Sequence, residues 1–437
     1  MTPEALGVGV LRSAVLLVPV LFGAVLVLVT RTDHAGRDRA STDRLHAGAA
    51  LATLWNATAL LVVNATAVHA GWWTFGTEGA SWSGVPIDVV FGWAVLWGAV
   101  PVLLGRWVRP WLTALVLVAA DAVAMKGLAP MVVLGESWWW GEATAVAVAL
   151  VPGLVLGQST ATGRALRTRV VLQVLLFAAL LLFVVPTATF ASTGTGWSER
   201  LAVVGGPVDL LLAQVALVAG VVALRSVAEF ACHGGTPFPW DPPDRLVCTG
   251  PYAYVANPMQ VCAVLILALG AVIVSEPWLA AVAVTGAVFG AGVASWHERA
   301  ALRGRFGSAW LAYRRQVRDW LPRWRPTPLR PVGVLYPAAG CDPCSELGDW
   351  FARRGGTALR LVPAEDHPEP LVRLRYECPV TGESADGVRA VGHALEHLNL
   401  GWAVLGWLLR APVLASLAQL VTDAVGGGPR EIRSGAG

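Results

Sequence analysis

The residues best suited to chemistry lie on either side of one predicted hydrophobic hairpin, between positions 250 and 300. Asn257-Pro258 stands directly before a long apolar run. The residue before a proline avoids the helical region, Asn is a good N-cap and Pro is favoured in the first helical turn, so this pair predicts a helix start. The free N–H groups and positive dipole end there would attract an anionic group. Gly250-Pro251-Tyr252, just upstream, predicts a turn that presents an aromatic face.

Two further ionisable residues, His297 and Glu298, lie at the far end of the hairpin. Glu298 is predicted at the end of a membrane span, where burial of a carboxylate is costly, so it is a candidate for pairing with a bound cation. His297 is the nearest candidate general base. Taken singly, a helix-opening Asn-Pro, a juxtamembrane Glu and a surface His are each more often structural. Because a tight turn joins the two helices, we expect these chain segments to lie close together.

The two segments are long enough to be compared with known families. The first reads Gly234-Thr-Pro-Phe-Pro-Trp-Asp-Pro-Pro-Asp-Arg-Leu-Val-Cys-Thr-Gly-Pro-Tyr-Ala-Tyr-Val-Ala-Asn-Pro-Met259, and the second reads Trp296-His-Glu-Arg-Ala-Ala-Leu-Arg-Gly-Arg-Phe-Gly-Ser-Ala-Trp-Leu-Ala-Tyr313 and continues to Trp320-Leu-Pro322. Together they resemble the isoprenylcysteine carboxyl methyltransferase family, over about residues 200–325. The resemblance implies the cofactor S-adenosylmethionine. It implies cofactor-binding roles for Gly250, Tyr252, Asn257, Pro258 and Glu298, and catalytic roles for Glu298 and His297.

The chain departs from that family's usual pattern at three positions. Ala256 stands where the family usually has Arg, Gln260 where it has an aromatic residue, and His297 where a second Glu is frequent. These departures keep a second interpretation open, in which the chain is a membrane redox or scaffold protein with a decayed methyltransferase motif.

Composition and hydropathy predict an α-helical integral membrane protein. The chain is 55% hydrophobic and 14% charged, and its net charge of +3 gives nucleic-acid binding no electrostatic support. Arginine-rich and arginine-poor loops alternate, so the positive-inside rule predicts an outside N-terminus and a cytosolic C-terminus in a plasma-membrane protein. Apolar runs predict nine spans, at about 9–30, 48–70, 87–105, 111–134, 143–158, 170–190, 201–226, 259–275 and 278–296.

The same patterns divide the chain into four parts. We expect a polytopic membrane region at 1–200, a methyltransferase-like domain at 201–330, a cytosolic thioredoxin-like α/β domain at 331–425 and a disordered tail at 426–437. Apolar residues within 299–330 predict an amphipathic helix on the inner leaflet. Tryptophans in the two outer loops predict an interfacial aromatic belt: Trp72, Trp73, Trp82, Trp138, Trp139 and Trp140.

One acidic residue, Asp121, is predicted inside a span, which makes it a functional candidate. Lys126 follows five positions later, about 140° around a helix, so a simple facing pair is not expected. The surrounding segment, with Asp121, Pro130, Gly135 and Trp138–Trp140, weakly resembles carotenoid-hydratase-type membrane proteins over about 70–145. That resemblance implies a carotenoid- or polyprenoid-processing enzyme, and a purely structural polar contact is the alternative.

The C-terminal region has the order strand, CxxC, helix, strand that is typical of thioredoxin-like domains. Strands are predicted at 332–336, 358–362 and 372–376, with helices ending near 354 and covering about 386–398 and 401–424. Cys341 and Cys344 form the CxxC pair and resemble the site of the DCC family of thiol–disulfide oxidoreductases. Three alternatives remain open for this pair. They are thiol redox chemistry with a thiol redox partner, no chemistry, and a metal site with Cys378, His393 and His397. Of these, the metal site is the one we do not predict.

We therefore expect an S-adenosylmethionine-dependent methyltransferase that acts on a lipid or isoprenoid-linked acceptor entering from the bilayer. In-line methyl transfer needs positioning and exclusion of water, and no metal. A carboxylate acceptor needs no general base, whereas an amine or hydroxyl acceptor would need one. The sequence does not distinguish these acceptors.

Overall fold

The computed structural model describes residues 3–32, 39–76, 81–82, 84–238, 241–340 and 342–429. They form two compact units, residues 1–195 with 236–241, and residues 196–235 with 242–437. The first unit is helical: α1 Pro3–Thr32, α2 Arg39–Ala70, α3 Ile87–Trp97, α4 Ala99–Leu104, α5 Pro110–Ala124, α6 Trp138–Ala145, α7 Val151–Thr162, α8 Leu166–Ala179 and α9 Val185–Ser192. Single π-helical turns, Val146–Leu150 and Leu180–Val184, join α6 to α7 and α8 to α9.

The mostly helical architecture of the chain is confirmed, with fewer candidate membrane-spanning helices than predicted. Within the described ranges, seven helices are long and apolar enough to cross a bilayer: Gly7–Thr32, Ala40–Ala70, Ile87–Leu104, Pro110–Gly127, Trp138–Thr162, Leu166–Ser192 and Pro207–Cys232. The predicted spans at 259–275 and 278–296 correspond to the shorter apolar helices Pro258–Ile273 and Pro277–Gly292. At about 1.5 Å per residue, each of these reaches only about 24 Å.

The fourth predicted span ends earlier than expected. Its helix stops at Gly127, and Val132–Leu134 instead forms strand β4, which pairs antiparallel with β1 (Trp73–Phe75). Pro130 explains the early end, since proline cannot continue the helical hydrogen bonding. A second two-stranded ladder, β2 (Ser81–Trp82) with β3 (Val85–Pro86), lies in the same loop region.

The predicted aromatic belt is only partly exposed. Trp139 and Trp140 are exposed and stack with ring centroids 3.9 Å apart. Trp73 is instead fully buried, and its indole N–H donates to the side-chain oxygen of Asn64 at 3.0 Å. Trp73 therefore packs the core of the first unit, because its N–H finds an internal acceptor.

Close backbone packing and a partly buried ion pair hold the first unit together. A Cβ added to Gly48 would lie 2.4 Å from the carbonyl oxygen of Gly157, so α2 and α7 approach through glycine. Arg12 on α1 pairs with Asp88 on α3 at 2.5 Å. Intramembrane charges are expensive unless paired, so this bond fixes the contact between α1 and α3.

The second unit contains α10 Trp197–Ala202, α11 Pro207–Cys232, a 3₁₀ turn Gly250–Ala253, α12 Pro258–Ile273, α13 Pro277–Phe289 and α14 Ser295–Gln316. A π-helical turn, Gly290–Ala294, joins α13 to α14. Three apolar side chains of α14, Leu302, Trp310 and Tyr313, are buried against Ala256, whereas Leu311 is exposed. Most of the apolar face that the sequence predicts on the inner leaflet therefore packs against protein.

The C-terminal part of this unit is a four-stranded sheet with helices. β5 Gly333–Tyr336 is central, parallel to β6 Leu359–Leu361 and antiparallel to β7 Arg375–Cys378, which pairs with β8 Glu383–Asp386. The third strand begins three residues later than predicted, and β8 was not predicted, since its alternation of polar side chains gives no apolar signal. Helices are α15 Asp342–Arg354, α16 Val388–Leu395, α17 Leu400–Leu409 and α18 Pro412–Thr422.

The predicted helix over 401–424 is broken. α17 ends at Leu409 and α18 begins at Pro412, and the two are bent by 88°. The pair is apolar enough to count as an eighth, broken span. Described residues of the predicted tail include Gly426–Gly428, which end a π-helical turn, whereas 430–437 lie outside the described residues.

Candidate functional site

The Gly250–Ala253 turn rests on a buried carboxylate. Glu229, near the end of α11, is only 2% exposed. Its carboxylate accepts hydrogen bonds from the Arg225 guanidinium at 2.8 Å and from the Thr249 hydroxyl. Gly250 has φ +55°, and an added Cβ would lie 3.0 Å from the Glu229 carboxylate. Glycine is therefore favoured here by both backbone conformation and space.

Asn257-Pro258 begins α12, as predicted, but the Asn side chain does not cap the helix. Instead its amide nitrogen lies 3.5 Å from the Asp319 carboxylate, to which it donates a long hydrogen bond. The backbone N–H groups of Ala256 and Asn257 donate to the carbonyl oxygens of Arg318 and Asp319, at 2.8 and 3.3 Å. The two sequence segments that resemble a methyltransferase are thus in direct backbone contact.

Aromatic residues strengthen that contact. The Tyr313 hydroxyl donates to the carbonyl oxygen of Tyr252 at 2.8 Å, inside the protein. The Tyr252 ring is 5% exposed and stacks on Phe230 with centroids 5.3 Å apart. The geometry gives Tyr252 a packing role, and its expected cofactor-binding role remains a prediction.

Two orphaned polar atoms lie where the segments meet. Among the described residues, neither the side-chain oxygen of Gln260 nor the indole N–H of Trp320 has a hydrogen-bond partner, although both atoms are buried. Both side chains flank Gly290: a Cβ there would lie 2.9 Å from the Gln260 oxygen and 2.9 Å from the Trp320 ring. Buried polar atoms are rarely left unsatisfied, so this acceptor and donor suit a polar ligand. Sequence reasoning noted Gln260 only as a departure from a pattern.

Several predicted site residues lie outside the described part. They are the side chains of His297 and Glu298 and the whole of Cys341. Positions 297 and 298 belong to the first turn of α14. The next residue, Arg299, donates to the Asp319 carboxylate at 2.8 Å. Because Asp319 also accepts from Asn257, the start of α14 is tied to the start of α12.

A buried polar network joins the same turn to the C-terminal sheet. The Tyr254 hydroxyl donates to the carbonyl oxygen of Glu396 at 2.9 Å, and Arg330 donates to that carbonyl as well. The His397 ring bonds Arg330 at 3.0 Å and the Tyr376 hydroxyl at 2.9 Å. Burial lowers the pKa of His397, so its imidazole is neutral and works as a structural link.

Cys344 lines an apolar cavity of about 350 Å³ in the C-terminal part. Other lining residues are Leu347, Val388, Val391 and Gln419. His397 was a candidate ligand of the alternative metal site. Both of its ring nitrogens are hydrogen-bonded to other residues of the protein. No group of three or more His, Cys, Asp or Glu side chains within the described ranges has a geometry that could hold a metal ion.

Comparisons with protein-family models, with curated proteins and with solved structures found no match to this chain.

Proposed function

We propose that this chain is a membrane-embedded, S-adenosylmethionine-dependent methyltransferase that acts on a lipid or isoprenoid-linked acceptor. The main support for the proposal is the direct contact between the two segments that resemble the methyltransferase family. The contacting residues are about sixty positions apart in the sequence. Three hydrogen bonds join them, from the backbone of Ala256 and Asn257 and from the Tyr313 hydroxyl. Such contact is what a shared cofactor site requires of them.

We call the place where Ala256 and Asn257 contact Arg318 and Asp319 the junction. The residues at this junction fit the cofactor's polar groups. Gln260 offers a buried acceptor and Trp320 a buried donor without internal partners in the described part of the chain. Glu298 supplies a carboxylate for the cofactor's ammonium, and the first turn of α12, after Asn257-Pro258, supplies backbone N–H groups for its carboxylate. When bound, S-adenosylmethionine supplies an electrophilic methyl group.

The protein's work is to bind, orient and exclude water. Gly250 and Tyr252 fix the turn on which the junction rests. His297 takes the acceptor's proton if the acceptor is an amine or a hydroxyl, and a carboxylate acceptor needs no base. The apolar side chains of Trp278, Val284 and Val288 are exposed on α13, so a lipid-like acceptor would enter sideways from the bilayer.

The proposed orientation follows from arginine placement. The N-terminus is outside and the junction faces the cytosol of a plasma-membrane protein, where a water-soluble cofactor is available. The C-terminal part is proposed as a cytosolic thioredoxin-like domain of the DCC type.

A second candidate function is thiol redox chemistry at Cys341 and Cys344, with or without an active methyltransferase junction. One observation favours it: Cys344 opens onto the apolar cavity, next to the sheet order that thioredoxin-like domains use. Ala256, in the place of the family's Arg, and Gln260, in the place of its aromatic residue, are the features that favour a decayed methyltransferase motif.

Methyl transfer is tested with [methyl-³H]-S-adenosylmethionine and native membrane lipids added to the purified full-length protein. We expect tritium in the lipid extract with the wild type, and a loss of at least 10-fold with Glu298→Gln, since an amide cannot pair with an ammonium. Glu369→Gln is the matched control, because Glu369 is an exposed carboxylate of the same unit. A wild type that labels no lipid, or a Glu298→Gln protein that labels it normally, contradicts the proposal.

Trp320→Phe tests the junction more finely. The change keeps an aromatic ring, removes the N–H, which has no partner within the described residues, and also removes the volume of the second indole ring. If the N–H binds the cofactor, the KM for S-adenosylmethionine should rise about 5- to 10-fold, equivalent to ~1–1.5 kcal/mol, while the lost volume should lower the unfolding free energy of the empty protein by about 1–3 kcal/mol. An unchanged KM would remove Trp320 from the site.

A further inference from the structure

The last helix, α18, presents its apolar side to the outside of the protein. Six large aliphatic side chains of α18 and of the turn after it are exposed, with exposed fractions up to 72% at Val413 and 77% at Val425. They are Val413, Leu414, Leu417, Leu420, Val421 and Val425. At about 100° per residue, the five within the helix share an arc of about 120°. All of Pro412–Thr422 lies within the described ranges, and this outward face carries no charged residue.

The polar side chains at the end of α18 are turned toward the protein instead. The side-chain oxygen of Gln419 accepts from the backbone N–H of Val388 at 2.9 Å, and its amide group donates to the Asp423 carboxylate at 2.8 Å. The Arg373 guanidinium donates to the same carboxylate at 2.9 Å. These bonds fix the rotation of α18 about its axis. A helix on a water-facing surface has the reverse arrangement, with its apolar side inward and its polar side outward.

The helix before α18 connects this face to a candidate membrane span. α17 has no charged residue, and its Ala403 and Trp407 pack in one cluster with Val222 of α11. α11 is a candidate span that begins at Pro207. A span needs about twenty residues, so one that begins at Pro207 extends to about residue 226 and contains Val222. α17 therefore packs against a part of α11 that lies at the depth of the bilayer.

The lengths of the two helices indicate that they do not form a span of their own. α17 has 10 residues and α18 has 11, which correspond to about 15 and 16 Å. Neither helix alone crosses a hydrocarbon core of ~30 Å. Because they are bent by 88°, their lengths do not add along one direction. α18 therefore runs almost at right angles to α17.

We propose that α18 lies in the plane of the membrane, at the boundary between the headgroups and the hydrocarbon of a lipid bilayer. Its outward face contacts the acyl chains, as the apolar side of an interfacial helix does. The aliphatic composition of this face suits lipid, since protein interfaces are enriched in aromatic residues, Met and Arg, which the face lacks. Because the face is uncharged, the contact depends on acyl chains and not on anionic headgroups. The proposal is independent of the methyltransferase function.

Photo-crosslinking to lipid in proteoliposomes tests this placement. The full-length protein is reconstituted in phosphatidylcholine, of which a small part carries a diazirine in the acyl chain. After irradiation and digestion, mass spectrometry locates the lipid adducts. We expect adducts on Leu417 and Val421 at least about 10-fold above those on the inward residues Ala415 and Gln419, because only the outward face reaches acyl chains.

Two substitutions on the exposed side of α18 provide the matched comparison. Leu417→Asp puts a carboxylate in the middle of the apolar face and should lower lipid labelling of α18 by about 5-fold or more, since a carboxylate is costly to place in hydrocarbon. Ser416→Asp puts the same group on the neighbouring exposed residue, outside the apolar face. It should leave the labelling within about 2-fold of that of wild type. Normal lipid labelling of α11 shows that each variant is folded and inserted.

Hydroxyl-radical footprinting of the same proteoliposomes separates the remaining outcomes. A lipid-covered Leu417 is protected from oxidation and receives lipid adducts. A face that contacts water would be oxidised without lipid adducts, and a face covered by a second copy or another protein would be protected without them. Either of these results, or wild-type labelling in Leu417→Asp, would overturn the proposal.

Discussion

Replacement of Gly250 by alanine should destabilise the second unit by more than backbone strain alone. Gly250 has φ +55°, where an L-residue costs ~1–2 kcal/mol. The new Cβ would lie 3.0 Å from a carboxylate oxygen of Glu229 and 3.1 Å from its carboxyl carbon. Glu229 cannot move freely, because Arg225 and Thr249 hold it. Loss of one such charge-assisted bond adds ~1.5–3 kcal/mol, so we expect about 2.5–5 kcal/mol in total.

Gly355→Ala is the control for the strain contribution. Gly355 lies in the same unit with φ +61°, and an added Cβ meets nothing within 4 Å. Its loss should stay near ~1–2 kcal/mol. The assay is equilibrium unfolding of the full-length protein in mixed micelles of dodecyl maltoside and sodium dodecyl sulfate, followed by tryptophan fluorescence. Equal losses in the two variants would refute the claim that Glu229 braces the turn.

Three further perturbations have expected outcomes. Burial lowers the pKa of His393 and of His397, so their contribution to the stability of the fold is complete above the unfolded pKa near 6.5 and is lost as pH falls below it, together by up to ~2.7 kcal/mol per pH unit. Burial raises the pKa of Glu383, which favours the fold at low pH and offsets at most ~1.4 kcal/mol per unit, so the unfolding free energy of the second unit, measured from pH 6.5 down to 5.5, should fall; a flat or rising profile for that unit contradicts this. Tyr313→Phe removes the 2.8 Å bond to the turn and should cost ~1 kcal/mol and weaken cofactor binding several-fold, whereas binding like that of wild type would detach this bond from the site. Trp73→Phe leaves a buried amide oxygen without its donor and a cavity where the second indole ring packed, and should lower the unfolding free energy of the first unit by ~2–5 kcal/mol; an unchanged value would show that neither the bond nor the packing of this ring contributes net stability.

Much of the architecture could be predicted from local sequence. Seven of the nine predicted spans were found as long apolar helices, because a run of about twenty apolar residues has few other uses. Pro258 marks a helix start in the structure as it does in the sequence. These features depend on residues that are neighbours in the chain.

The remaining features depend on which surfaces meet. The periodicity of Leu302, Trp310 and Tyr313 shows that a helix has an apolar face, but a lipid surface and a protein surface select the same residues. Asp121 was singled out alone, although Glu142 is a second buried acidic residue of the same unit, because Glu142 follows an intervening strand and turn that no spacing rule spans. The early end of the fourth span could have been found from Pro130, had its helix-breaking effect been given more weight than hydropathy.

The most direct test of the methyltransferase assignment is binding of S-adenosylmethionine to the purified protein in detergent, measured by isothermal titration calorimetry. Wild type is compared with Asn257→Ala and Glu298→Ala. We predict saturable wild-type binding that each substitution weakens about 10-fold or more, since a charge-assisted contact contributes ~1.5–3 kcal/mol. Absence of binding in folded wild-type protein would contradict the assignment and leave Cys341 and Cys344 as the remaining candidates for chemistry in the second unit.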